Sequence, residues 1–180
     1  AQIDGELARR QRGYGRGPRM ELERDRVQVL AGLRDGKTLG SPLALLIENR
    51  DWTNWEKVMD PVSVSAGEVL TNPRPGHADL PGAIKYNHRD MRNVLERASA
   101  RETACRVAAG AIFKQFLAVF NIRIYSQVLA IGEVKCQSRP VDRRNWQQLV
   151  QEAEKSAVRC ADPQASRAMM EAIDYARQEG

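Results

Sequence analysis

The chain has 180 residues, 42% of them apolar and 28% charged, a balance that fits a folded domain rather than a disordered or fibrous chain. No apolar run approaches the roughly 18 residues a spanning helix needs, and no basic-then-apolar leader marks secretion. The net charge of +5 rests on 22 Arg against 6 Lys, and the planar guanidinium fork matches carboxylates and phosphates where lysine is a hydrated point charge. Composition therefore points to anion recognition. Cys105, Cys136 and Cys160 form no close pair in sequence. That argues against a disulfide framework or a metal site and favours small free thiols in a reducing cytoplasm. The length suits one domain over residues 1–180. Ala1 in place of Met, with a helix beginning almost at once, points to a processed or truncated chain.

Asp4 is placed to cap a short helix running to Arg12, which ends at the glycine-rich stretch Gly13-Tyr14-Gly15-Arg16-Gly17-Pro18. Val27 to Leu33 and Leu43 to Glu48 read as strands, and Asp35-Gly36 between them is a hairpin signal. Arg50 to Arg74 carries Trp52 and Trp55 with little periodicity and reads as a long loop. Ala104, Ala108, Ile112 and Phe116 recur at every fourth position, which predicts a helix from Ser99 to Phe120, with Ser99 and Glu102 as a capping box. Ile122 to Ile131 alternates and reads as a strand. Asn145 to Val158 reads as a helix, and a last helix takes Asp162 as cap and Pro163 in its first turn. Early strands, a central helix, another strand and closing helices make an α+β pattern, without the regular alternation of a doubly wound sheet.

Three constellations could carry chemistry. Arg9, Arg10, Arg12, Arg16 and Arg19 alternate with glycines that let a ligand approach the backbone closely. They can converge on one anion, or form a solvated basic turn that meets nucleic-acid phosphates without specificity. Neither the phosphate-loop pattern nor the dinucleotide fingerprint is present. In Arg74-Pro75-Gly76-His77-Ala78-Asp79 the tight turn presents an imidazole able to hold or give a proton near neutral pH. A plain surface histidine is the competing reading there, and His88, among solvating charges, has the weaker case. In Glu96-Arg97-Ala98-Ser99-Ala100-Arg101-Glu102 the arginines surround the positive end of the longest predicted helix, a natural phosphate site or simply an ordinary cap.

At these residues the sequence resembles the chorismate synthase family. The resemblance runs through Ala8 to Met20 (ARRQRGYGRGPRM), Leu46 to Trp52 (LIENRDW), Arg74 to Asp79 (RPGHAD) and Glu96 to Gly110 (ERASARETACRVAAG). It implies a flavin enzyme of the shikimate pathway, with that family's β-α-β sandwich of α+β class and homotetrameric habit. Such enzymes eliminate phosphate from 5-enolpyruvylshikimate 3-phosphate using reduced FMN without net redox change, with NADPH as a possible reductant. Substrate and cofactor together bring the anion load that the arginine excess suggests.

By the same resemblance, Arg10, Arg16, Arg19, Arg74 and Arg101 are substrate-binding residues, and Arg10 and Arg16 also face the nucleotide. Arg97, Ala98 and Ser99 form the FMN-contacting turn. His77 is the histidine near the flavin, and His88 has no catalytic counterpart. No metal is implied. The family's Gly-Glu-Ser-His-Gly block, which holds a second histidine near the leaving phosphate, does not occur here, and the family continues past the point that aligns with Gly180. The resemblance thus implies a fragment lacking the first histidine block and the C-terminal portion. A nucleic-acid-binding alternative rests on charge alone, since aromatic residues make up only 6% of the chain and offer no stacking platform.

Overall fold

The computed structural model describes residues 2–15, 24–62, 68–98, 100–137 and 141–179. The chain divides into two compact units, the first formed by Ala1–Leu7 with Asp25–Ile112 and the second by Ala8–Arg24 with Phe113–Gly180.

In the first unit, helix α1 (Gln2–Gln11) begins close to the N-terminus and buries Leu7 completely. Asp4 lies inside the first turn of α1 rather than ahead of it, so it does not cap the helix as the sequence suggests. Its Oδ1 accepts the Val27 amide at 2.9 Å and ties the helix to the first strand. Strand β1 (Val27–Ala31) pairs antiparallel with β4 (Ala44–Ile47), setting Val27 opposite Ile47. Between them, β2 (Leu33–Arg34) and β3 (Lys37–Thr38) form the hairpin expected at Asp35-Gly36. Those two residues take φ values of 50° and 72°, as a two-residue hairpin turn requires. Among the described residues of the long segment that follows is a short helix, α2 (Trp52–Trp55), held by Asp51, which accepts from the Trp55 indole at 2.9 Å.

Two helices occupy a stretch to which the sequence reading, beyond the turns at Arg74 to Asp79 and Arg97 to Ser99, assigned no element. Helix α3 (Asp79–Tyr86) carries Pro81 in its first turn, where a missing amide costs nothing, and ends at Asn87 in the left-handed conformation. Helix α4 (Met91–Ala98) starts at Asp90, whose carboxylate accepts the Arg92 amide at 3.0 Å. The two helices bury Ala83, Met91 and Val94 against each other. Their approach is close enough that a Cβ on Gly82 would lie 2.4 Å from a Val94 methyl. Arg97 and Ala98 therefore occupy the last turn of α4, not a turn capping the next helix.

Helix α5 (Ala100–Val119) matches the predicted long helix closely. Ser99 lies outside the described residues, and Glu102 pairs with Arg106 one turn on, at 2.7 Å. The expected apolar stripe is buried only in its first half. Ala104 and Ala108 are inaccessible, whereas Phe116 is 60% exposed and meets Phe120 edge-on with ring centroids 5.3 Å apart.

The second unit is built on α7 (Pro163–Glu179). Asp162 caps it as predicted, its carboxylate accepting the Gln164 and Ala165 amides at 2.8 and 3.1 Å. The predicted strand over Ile122 to Ile131 shrinks to β5 (Ala130–Ile131), paired with β6 (Val134–Lys135). Beyond it the Leu129 carbonyl accepts the Cys136 amide at 2.7 Å and the Val128 amide donates to the Arg159 carbonyl at 2.9 Å. These isolated bonds do not extend the ladder, and alternation alone does not make a strand without a continuous partner. This hairpin packs on the core of Val158, Cys160, Ala165 and Met169. Helix α6 (Trp146–Lys155) falls within the predicted Asn145 to Val158 and buries Leu149 and Ala153. All three cysteines are free thiols, and burial together with a bond to Cys160 pushes the Cys136 thiol up to about 11.

Candidate active site

The tight turn after Arg74 is made by Gly76 in the left-handed region, φ 67°, with the His77 amide returning to the Arg74 carbonyl. Chain reversal there sets Arg74 and His77 around Asp79, the first residue of α3. The Asp79 carboxylate is almost inaccessible, 1% exposed, and is fully engaged. Its Oδ2 accepts the Arg74 backbone amide and Nε, both at 2.9 Å. Its Oδ1 accepts Arg74 Nη2 at 3.1 Å and lies 2.6 Å from His77 Nδ1. Arg74 Nη2 is also within 2.9 and 3.0 Å of the two imidazole nitrogens. One buried anion thus organises a cation and an imidazole, both of which reach solvent, with His77 32% and Arg74 52% exposed.

Arg74, foremost through its side-chain bonds, holds the Asp79 carboxyl well below the usual carboxylate range; burial opposes this, and the Arg74 amide and His77 add to it. A depressed folded-state value stabilises the fold above the unfolded value of about 3.9, and the contribution fades as pH falls below that point. Lowering the pH from about 5 to about 2 is therefore expected to depress the melting temperature, with Asp79→Asn reducing the slope. Thermal melts monitored by circular dichroism at each pH check this, and identical slopes would remove Asp79 from the acid response.

Helices α3 and α4 enclose a groove of about 250 Å³. Its lining includes Ala78, which follows His77, together with Pro81, Lys85, Tyr86, Arg97 and Ala98. The Arg97 guanidinium lies 4.3 Å from the Tyr86 ring centroid, and its Nη2 donates to the Tyr86 hydroxyl at 3.0 Å. Arg97 first, and Lys85 after it, draw the Tyr86 hydroxyl below its ordinary value. An apolar floor with two cations at its rim suits a flat ligand that carries negative charge.

Arg101, at the start of α5, donates to the buried Asp25 carboxylate and to the Glu48 carbonyl, so strand β4 and helix α5 meet through it. In the second unit, Arg10 lies near the end of α1 and is half-buried. The loop beyond it is pinned to α7: the Tyr14 hydroxyl donates to Asp174 at 2.5 Å, and a Cβ on Gly15 would lie 2.7 Å from an Ile173 methyl. Arg9 lines a separate groove of about 430 Å³ in that unit and pairs with Glu154 at 3.4 Å. The first unit thus brings Arg74 and His77 together on Asp79 and sets Arg97 and Ala98 in one groove. Arg16, Arg19 and Ser99 lie outside the described residues.

A family model described as chorismate synthase matches residues 1–180, the whole of this sequence. The chain belongs to the chorismate synthase family. It is 58% identical to the chorismate synthase of Symbiobacterium thermophilum, covering 100% of this chain and 47% of that relative. It is 55% identical to the chorismate synthase of a Geobacillus species, covering 99% of this chain and 46% of that one. A solved structure described as the crystal structure of chorismate synthase superposes with a TM-score of 0.73 at 39% identity, over 99% of this chain and 45% of that one. The α+β expectation and the fold of that family both hold. The chain spans just under half the length of the curated relatives it matches. Among the described residues, no helix is long and apolar enough to cross a membrane.

Sequence reasoning on this chorismate synthase chain missed three residues that shape the site. Asp79 was in view, two positions from His77 and opening a helix with Pro81, which is a readable local signal. Tyr86 beneath Arg97 and Asp25 against Arg101 stand 11 and 76 positions away from their partners. No local pattern links residues at those separations.

Proposed function

We propose that the polypeptide carrying these residues eliminates phosphate from 5-enolpyruvylshikimate 3-phosphate to give chorismate, with reduced FMN bound. The observation that carries this reading is the Arg74–His77–Asp79 array beside a groove rimmed by Lys85 and Arg97, in a chain of this family. The donors fit the cofactor: Arg97 supplies charge for a phosphate, and the apolar floor with Tyr86 suits a flat ring system. Arg97, Ala98 and Ser99 would hold FMN, and Arg10 and Arg16 would face the nicotinamide nucleotide. When bound, reduced FMN supplies electron density to a ring left electron-deficient by departing phosphate.

The chain's own residues bind and move protons. Arg74 and Arg101, with Arg10, Arg16 and Arg19, hold the substrate's carboxylates and phosphate and favour the phosphate as it leaves. His77 holds a proton at the flavin-facing turn. The carbon–oxygen bond to phosphate breaks and a ring proton leaves C6, so one phosphate is released per chorismate with no net oxidation. NADPH as reductant, a homotetramer and a cytoplasmic setting complete the reading, with a small anionic substrate as ligand rather than nucleic acid.

A second reading follows from length. Because the chain spans under half of its relatives, residues 1–180 alone are proposed to bind FMN or phosphorylated ligands without turnover. Phosphate release from the substrate under anaerobic conditions with chemically reduced FMN tests both readings. It is expected from the native polypeptide that carries this chain and not from residues 1–180 alone. Turnover by the 180-residue chain would overturn the second reading, and none from either polypeptide would overturn the first.

A further inference from the structure

We infer that Asp79 is the positioning residue of this site: it fixes His77 as the Nδ1–H tautomer and leaves Nε2 as the atom that exchanges a proton with a bound ligand. The proton-exchange part rests on the function proposed above; the tautomer does not. Oδ1 of Asp79 lies 2.6 Å from His77 Nδ1, a short contact at the strong end of hydrogen bonds to a carboxylate. An ionised carboxylate only accepts, so the hydrogen between them belongs to Nδ1. Asp79 is ionised at neutral pH because three donors from Arg74 converge on it. With Nδ1 committed, Nε2 is the ring's acceptor, and Arg74 Nη2, 2.9 Å from Nδ1 and 3.0 Å from Nε2, covers the ring between the two nitrogens. Arg74 is half exposed, so an anion drawing its guanidinium aside frees Nε2 without disturbing the bond that orients the ring.

Asp79 also locks this geometry to the fold. It opens α3, it is buried, and its bond to the Arg74 amide fixes both ends of the turn that carries His77. Anion capture by Arg74 and proton exchange at His77 thus share one anchor. A carboxylate behind an imidazole sets tautomer and orientation in many hydrolytic sites, and its amide replacement selects the wrong tautomer while leaving the geometry intact.

The test is nitrogen-15 NMR of histidine-labelled native polypeptide carrying residues 1–180, with the His77 signals assigned by His77→Gln. Wild type in its neutral form is expected to show a protonated Nδ1 and a bare Nε2. Asp79→Asn, whose amide can donate to Nδ1, should invert the tautomer and lower kcat about a hundredfold or more, while Asp79→Glu restores both in large part. A wild-type Nε2–H tautomer overturns the inference, and that spectrum needs no variant to fold. An unchanged tautomer in a folded Asp79→Asn protein overturns it as well. If the tautomers behave as described but no chorismate forms, the reaction is wrong and the role of Asp79 stands.

Discussion

Under the proposed reaction, replacing His77 with alanine is expected to slow chorismate formation by the native polypeptide about 10²- to 10⁴-fold, the usual worth of a positioned acid–base group. Replacing His88 should leave the rate within about a factor of two, since nothing ties it to the proton step. The contrast comes from what each ring touches. His77 is bonded to the buried Asp79 and stands on a turn adjoining the cationic groove. His88 follows the left-handed Asn87, where its amide closes helix α3 on the Ala83 carbonyl and its ring lies 6.1 Å from that of Tyr86. It therefore has a role in ending a helix, which any residue with an amide can fill. Single-turnover rates with pre-reduced FMN distinguish the two. Equal losses from both substitutions would remove His77 from its proposed role.

Arg101→Ala is expected to destabilise the fold by about 1–3 kcal/mol, because it removes a charge-assisted donor from a carboxylate that stays buried. The Asp25 side chain is 1% exposed and that of Arg101 is 18% exposed, so water cannot replace the lost bonds. The Glu48 carbonyl loses its donor at the same time. Removing Asp25 as well should recover part of the loss, since the carboxylate that lost this donor is then gone too. Urea unfolding of the two single variants and the double variant measures this coupling. Strict additivity would show that the pair contributes nothing to the fold. If Arg101 also binds substrate, its variant should raise KM beyond what loss of folded protein explains.

Most of the architecture was legible because it is specified locally. The Asp35-Gly36 hairpin, the Asp162 cap with Pro163, and the fourfold spacing along α5 each carry their cause within a few residues. Helices α3 and α4 carried signals too, in Pro81, Asn87 and Asp90, but the sequence reading assigned them no element. What decides their helical state is the mutual burial of Ala83, Met91 and Val94, a tertiary effect. Ile122 to Leu129 failed for the opposite reason. Its alternation was genuine, but pairing needs a neighbour that a local pattern does not supply.

The site divides along the same line. Motif resemblance singled out Arg74, His77 and Arg97; Asp79 stood in the same motif without a role, and Tyr86, 11 positions from Arg97, emerges only from packing. The half-buried apolar stripe of α5 has a practical consequence. Phe113, Phe116 and Phe120 are each at least 60% exposed, so residues 1–180 expressed alone should associate or dissolve poorly.

Following the flavin and the products together tests the proposed chemistry most directly. The native polypeptide carrying residues 1–180 is mixed anaerobically with chemically reduced FMN and 5-enolpyruvylshikimate 3-phosphate, and the flavin spectrum, chorismate absorbance and released phosphate are recorded. The expected result is chorismate and phosphate in equal amounts, with the flavin still reduced after many turnovers. Stoichiometric oxidation of the flavin, or phosphate released without chorismate, would contradict it.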